Sequence, residues 1–138
     1  MRTFKTESSI AAAALCFLFL FGGLDDVSAQ HGGKAEPLRI HFAAGRTSMT
    51  LTGRLSNDQE MEYIFAAQKG QRVTIRNTHT SLFDFRVFKK DADFDTEFDS
   101  SRSSTIDLPE SGDYMLYVRK KRVRTPRTAR FTLTLTIR

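Results

Sequence analysis

The chain has 138 residues, with 21 Lys and Arg against 16 Asp and Glu, for a net charge of +5. Its single cysteine, Cys16, excludes an internal disulfide framework and a multi-thiolate metal site. A chain of this length can still bury a core without covalent staples.

The first 29 residues read as a secretory signal. Arg2 and Lys5 make a weakly basic start, Ile10 to Phe21 is an unbroken apolar run, and Val27-Ser28-Ala29 offers small residues for cleavage. The run is shorter than the roughly 20 apolar residues of a membrane span. Leu15 precedes Cys16 where a lipoprotein site needs a small residue, so lipid anchoring is not expected. Cleavage after Ala29 removes two basic and three acidic residues and raises the net charge to +6. The expected organisation is a signal peptide at 1–29, a polar lead-in at 30–37 and one domain at 38–138, periplasmic or secreted.

Beyond the lead-in the hydrophobic period is two. Met49 and Leu51 share a face within Thr47–Leu55, with threonines between them. Met61, Tyr63 and Phe65 alternate up to the Lys69-Gly70-Gln71 turn. Val73 and Ile75 follow, then Phe83, Phe85 and Val87. Thr105–Leu108 forms a short strand that stops at Pro109, and Tyr114, Leu116 and Val118 open another. Phe131, Leu133, Leu135 and Ile137 alternate with threonines to the C-terminus. Short strands separated by Gly, Asn, Asp and Ser predict an all-β fold, an antiparallel sandwich or partly closed barrel of about eight strands. The last strand would be a sticky edge unless paired. Its simplest partner is Tyr114–Lys121, joined to it as a long hairpin.

Three segments are candidates for chemistry. In Leu108-Pro109-Glu110-Ser111-Gly112-Asp113-Tyr114, Ser111 and Gly112 suit a tight turn that a partner could contact. Tyr114 shares a face with Leu116 and Val118, which predicts a packed ring and a hydroxyl that caps a loop. Seven of the twelve residues from Arg119 to Arg130 are basic, namely Arg119, Lys120, Lys121, Arg122, Arg124, Arg127 and Arg130. Such a loop suits carboxylates or phosphates: an acidic enzyme cleft, lipopolysaccharide or an acidic glycan. Its bland alternative is a solvated loop balanced by the protein's own acids. Nucleic acid is disfavoured, because no aromatic residue interleaves with the basic ones and the chain carries an export signal.

The acidic segment Asp91, Asp93, Asp95, Glu97, Asp99 begins like a calcium loop but has Thr96 and Arg102 where glycine and glutamate are needed. A strand with its carboxylates outside and Phe94 and Phe98 inside explains it more simply. His31 in the lead-in, His41 in a strand and His79 in a loop lack metal-ligand spacing, and His79, Ser81 and Asp84 make a poor triad. No cofactor, metal or catalytic activity is expected.

Thr50-Leu51-Thr52-Gly53, Tyr63 through Gln71 and the Leu108–Tyr114 motif together resemble the periplasmic inhibitors of goose-type and invertebrate-type lysozymes. The arginine-containing stretch before Ala129-Arg130-Phe131-Thr132-Leu133 is similar too, so the resemblance covers about Leu38 to Arg138. It implies a lysozyme partner and a Ser-Gly-x-Tyr loop that enters the active site, here Ser111, Gly112 and Tyr114. Bacterial pre-peptidase C-terminal domains, accessory sandwiches of secreted enzymes, are similar in the same strands.

Overall fold

A computed structural model describes residues 36–138. The expected signal peptide, its cleavage site and Cys16 lie outside these residues. Among the described residues nine strands run in chain order: β1 (Leu38–Arg39), β2 (Ser48–Ser56), β3 (Glu60–Ala67), β4 (Arg72–Asn77), β5 (Phe83–Lys89), β6 (Phe94–Asp95), β7 (Ser103–Asp107), β8 (Gly112–Lys120) and β9 (Thr128–Ile137). They form two sheets, ordered β1-β3-β8-β5-β6 and β2-β9-β4-β7. Every pairing is antiparallel except that of β1 with β3. The architecture is the predicted sandwich, and the sheets do not close into a barrel.

The period of two puts one face of each sheet into a shared core. Tyr63, Phe65, Phe83, Phe85, Val87, Tyr114, Leu116 and Val118 come from the first sheet; Leu51, Leu55, Val73, Ile75, Phe131, Leu133, Leu135 and Ile137 come from the second. Phe65 stacks on Tyr114 at 5.6 Å, and Phe83 meets Phe131 edge-on at 5.7 Å. Each such aromatic pair adds about 1 kcal/mol beyond burial.

The C-terminal strand is paired differently from the sequence expectation. β9 lies between β2 and β4, with a register running from Ser48↔Thr136 to Ser56↔Thr128 along β2. Both edges of β8 are already occupied, by β3 and β5. The segment from Lys121 to Arg127 therefore crosses between sheets instead of turning a hairpin within one.

The acidic segment also departs from the predicted strand. Lys90–Ala92 forms a 3₁₀ turn, Asp93 and Glu97 have φ of 47° and 58°, and only Phe94–Asp95 is strand. Phe88 pairs with Asp95 while Phe85 bridges Asp99, so three steps along one strand match four along the other. That extra residue is a bulge, and a bulge flips the face on which later side chains stand. Phe94 accordingly meets Tyr114 edge-on at 5.8 Å on the core side. Phe98 instead lies on the outer face, beneath the Arg119 guanidinium at 3.6 Å. His41 follows β1 rather than belonging to a strand.

Gly53 faces inward on β2, directly opposite Phe131. A Cβ there would stand 2.6 Å from the Phe131 ring. Gly53→Ala should therefore push the ring out of place and destabilise the fold by about 2 kcal/mol. Chemical denaturation should show a lower midpoint with an unchanged slope.

Candidate functional site

The Ser111–Gly112 turn sits at one end of the sandwich, beside the turn that joins β3 to β4. Backbone bonds tie the two turns together: Gly70 donates to the Leu108 carbonyl at 3.0 Å, and Leu108 donates to the Gln71 carbonyl at 2.8 Å. Ser111 Oγ accepts a 2.8 Å bond from the Lys69 amide. Lys69, Gly70, Glu110, Ser111, Gly112 and Asp113 are all exposed, so the paired turns make an exposed tip.

Beneath the tip, the Tyr114 ring is wholly buried. Its hydroxyl donates to the Glu110 carbonyl at 2.6 Å and accepts from the Glu110 amide at 3.2 Å. The phenol thus clamps the backbone four residues upstream, the role of a tyrosine corner in sandwiches. Gly112 has φ of 132°, where a side chain is strained, and a Cβ there would come 2.9 Å from Lys89 Nζ. Lys89 continues the inward face of β5 past Val87 and holds its ammonium 5.6 Å from the Tyr114 ring centre.

The basic segment lies at the other end. β8 starts at the tip with Gly112 and ends with Lys120, so at about 3.3 Å per residue the two candidates stand about 26 Å apart. The seven cations do not form one patch. Arg119 is paired with Asp84 on β5 at 2.6 Å, on top of its contact with Phe98. Lys120 is fully buried; its Nζ donates to Asn57 Oδ1 at 3.0 Å and to the Lys121 carbonyl at 2.9 Å. Burial pushes the Lys120 ammonium below its ordinary value, with nearby Asp58 opposing. Lys121 Nζ donates to the Thr80 carbonyl at 2.7 Å, and Arg122 pairs with Asp58. Arg124, Arg127 and Arg130 are exposed and pair with no carboxylate among the described residues. Arg124 and Arg127 line an open depression of about 650 Å³ together with Ser56, Asn57 and Thr128.

Asn57 is the residue that sequence reasoning missed here. Besides receiving Lys120, it donates from Nδ2 to the Val123 carbonyl at 2.7 Å, and its amide donates to the Arg127 carbonyl at 2.8 Å. The available signal was the face alternation, since Lys120 falls on the inward series Tyr114, Leu116, Val118. An inward lysine at a strand end demands an acceptor.

The acidic segment does not neutralise the basic loop by ion pairs. Asp95 pairs with Arg86, whose guanidinium lies 5.5 to 5.8 Å from the rings of Phe88, Phe98 and Tyr117. Asp99 accepts from the Ser101 amide and hydroxyl. His79 Nδ1 bonds to Thr78 Oγ1 while Asp84 is held by Arg119, so the two do not couple into a triad. No group of three or more His, Cys, Asp and Glu among the described residues is placed to hold a metal. No helix among the described residues is long and apolar enough to cross a membrane.

Two sheets, a pinned tip at one end and a cationic crossover at the other define a small β-sandwich with exposed loops at both ends. No protein-family model matches the chain, and no curated protein matches it. Among solved structures it is similar to the periplasmic inhibitor of g-type lysozyme from Aeromonas hydrophila, at 24% identity and a TM-score of 0.61, over 74% of this chain and 96% of that one. A mutant of the periplasmic g-type lysozyme inhibitor from Escherichia coli is 25% identical, with a TM-score of 0.59, over 74% of this chain and 97% of that one. The pre-peptidase C-terminal domain of a Bacillus anthracis collagenase is 16% identical, with a TM-score of 0.52, over 78% and 99% of the two chains.

Two measurements test the site's construction. Asn57→Ala should remove the acceptor of a buried ammonium and destabilise the fold by about 3 kcal/mol. Lys120→Met should be nearly neutral, and adding it to Asn57→Ala should recover most of the loss. Equal destabilisation of the single and double variants would show that Asn57 acts without Lys120.

The second measurement is acid sensitivity. A hydrogen bond from Arg86 holds the Asp95 carboxyl below its ordinary 3.8, and one from Arg39 does the same for Asp113. A depressed folded value gives stability that is full above 3.8 and is lost as pH falls through the folded value. The melting temperature should hold near neutrality and drop below about pH 4. Both carboxylates are exposed, so salt should shrink the effect.

Proposed function

We propose that this protein is an exported inhibitor of a lysozyme and acts by placing the Ser111–Gly112 tip in the catalytic cleft. The observation that carries the reading is the structural likeness to periplasmic inhibitors of g-type lysozyme over nearly their whole length. The signal-like N-terminus and the periplasmic setting of those inhibitors support export to the same compartment. Goose-type lysozyme is the first target to test, with the invertebrate type second.

The tip is exposed; its backbone is held from below by the Tyr114 hydroxyl, and the Ser111 side chain is tied to the Lys69 amide. A pre-ordered turn loses little conformational entropy on entering a cleft. Ser111 and Gly112 would occupy the cleft while Tyr114 holds them in place. Glycoside hydrolysis needs a carboxylic acid in that cleft, and Lys69 brings a cation to the same end of the sandwich. The basic crossover, at the opposite end, takes no part in this contact. Blocking is steric and electrostatic, and no bond is made or broken.

The test is a titration of the chain from Gln30 onward against goose-, invertebrate- and chicken-type lysozymes. Inhibition of the goose type is expected, and no inhibition of any at micromolar excess overturns the reading. Ser111→Arg should weaken inhibition by about tenfold or more, while losing the bond to the Lys69 amide lowers the melting temperature by only about 5 °C. Tyr114→Phe should cost about 1–2 kcal/mol of stability and leave inhibition intact well below melting.

A further inference from the structure

The outer face of the β2-β9-β4-β7 sheet carries hydroxyls and arginines in register. Along β9 its outward residues are Thr128, Arg130, Thr132, Thr134 and Thr136. Across them on β2 stand Ser56, Arg54, Thr52, Thr50 and Ser48. On the other side, Arg76 and Thr74 of β4 face Thr134 and Thr136. The rank thus holds eight Ser or Thr side chains on β2 and β9 and runs about 27 Å from Thr128 to Thr136.

Three features set this face apart. First, Arg54 and Arg130 are directly opposed across the two strands, and neither has an acidic partner among the described residues. Like charges in that position are unfavourable unless an anion lies between them. Secondly, Thr50, Thr52 and Thr134, midway along the rank, have no side-chain hydrogen-bond partner among the described residues, whereas Ser48 and Ser56 bond to Thr136 and Thr128. Thirdly, the rank runs between two open depressions, one of about 650 Å³ with Arg124 and Arg127, and one of about 440 Å³ with Arg72 and Thr74. On the opposite sheet, by contrast, Arg39, Arg86 and Arg119 are each matched by an aspartate.

We propose that the outer face of β2 and β9 is a binding track for a linear acidic polysaccharide, with Arg54, Arg130 and Arg76 meeting its carboxylates and the threonine hydroxyls meeting its sugar hydroxyls. Arginine forks favour carboxylates, and the free hydroxyls supply donors and acceptors at strand spacing. A polymer, not a small anion, fits a face whose cations stand at two levels, Arg54 opposite Arg130 at one and Arg76 about 13 Å along at the other. No aromatic side chain belongs to the outward series of β2, β9 or β4, so single-stranded nucleic acid would find no stacking platform there. This track does not depend on the lysozyme reading and uses none of the tip residues.

The experiment is calorimetric titration of the chain from Gln30 onward with polygalacturonate, with neutral dextran and oligo-dT as the other probes. Salt-sensitive binding to polygalacturonate and none to dextran is expected. Arg54→Ser with Arg130→Ser should weaken it by about tenfold or more and reduce the salt slope. Lys90→Asp removes the same two charge units away from the track and should leave binding near that of the parent. Thr132→Val with Thr134→Val keeps shape and strand preference and should weaken binding by about fivefold. No binding to polygalacturonate, tighter binding to oligo-dT, or an equal loss in Lys90→Asp would each overturn the proposal. Melting curves of every variant separate loss of the track from loss of the fold.

Discussion

The buried ammonium of Lys120 constrains the cationic end of this structure. The chain leaves the first sheet at Lys120 and enters the second at Thr128, and a charge stranded at that junction would cost several kcal/mol. Asn57 Oδ1 and the Lys121 carbonyl receive it. The same asparagine grips the Val123 carbonyl through its side-chain amide and the Arg127 carbonyl through its backbone amide. One polar residue in the β2–β3 turn therefore sets the path of the crossover. With that path set, Lys121 turns to the Thr80 carbonyl and Arg122 to Asp58, leaving Arg124 and Arg127 toward solvent.

This disposition turns an even-looking net charge into a one-sided one. On the β1-β3-β8-β5-β6 sheet three arginines are matched by three aspartates, each through a two-point contact in which both guanidinium and carboxylate are committed. On the other sheet, among the described residues, only Arg72 has a carboxylate partner, Asp107, and through a single hydrogen bond. The excess positive charge consequently projects from the second sheet and the crossover, while the tip holds Lys69 beside Glu110 and the paired Asp113. Field follows the unpaired charges, so an anion and a cationic protein would be drawn to different parts of the surface. That is how, on the proposed reading, an exported chain of net charge +6 could meet a lysozyme, an enzyme often cationic itself, without demanding that two positive surfaces meet.

Most strands, and nearly all the core, were legible in the alternation of apolar residues, because a half-buried sheet writes its burial directly into a period of two. Tyr114 is the clearest instance: its place in the series with Leu116 and Val118 already placed the ring inside. Pairing was not legible. Whether β9 joins β8 or β2 depends on contacts between residues far apart in sequence, and the short connection between β8 and β9 suggested a hairpin that the occupied edges of β8 forbid. The acidic segment misled for a different reason. Its alternation of aspartate and phenylalanine is a perfect strand pattern, but a single extra residue near Glu97 reverses the face, so Phe94 and Phe98 part company. In the candidate site, the turn residues were visible as Pro, Ser and Gly; alternation told that Lys120 needs an acceptor but not that Asn57 supplies it, and nothing local records the part of Lys69.

The rigidity of the tip follows from a division of labour within four residues. Gly112 takes a backbone conformation that strains any other residue, which lets the chain reverse directly above Lys89. Tyr114, two residues on, spends its hydroxyl on the Glu110 backbone and its ring on the core, so the turn is anchored from its own strand. Ser111 lies between them and needs neither burial nor strain; its oxygen joins a second turn through the Lys69 amide. Buried residues thus carry the energy of the arrangement, and Ser111 is left exposed at the turn. The turn can change its chemistry at Ser111 for the loss of one exposed hydrogen bond, while a change at Gly112 or Tyr114 is felt first as stability. Exposed turn and buried anchor are adjacent in the sequence here but separable in the structure, because strand alternation sends neighbouring side chains to opposite fates.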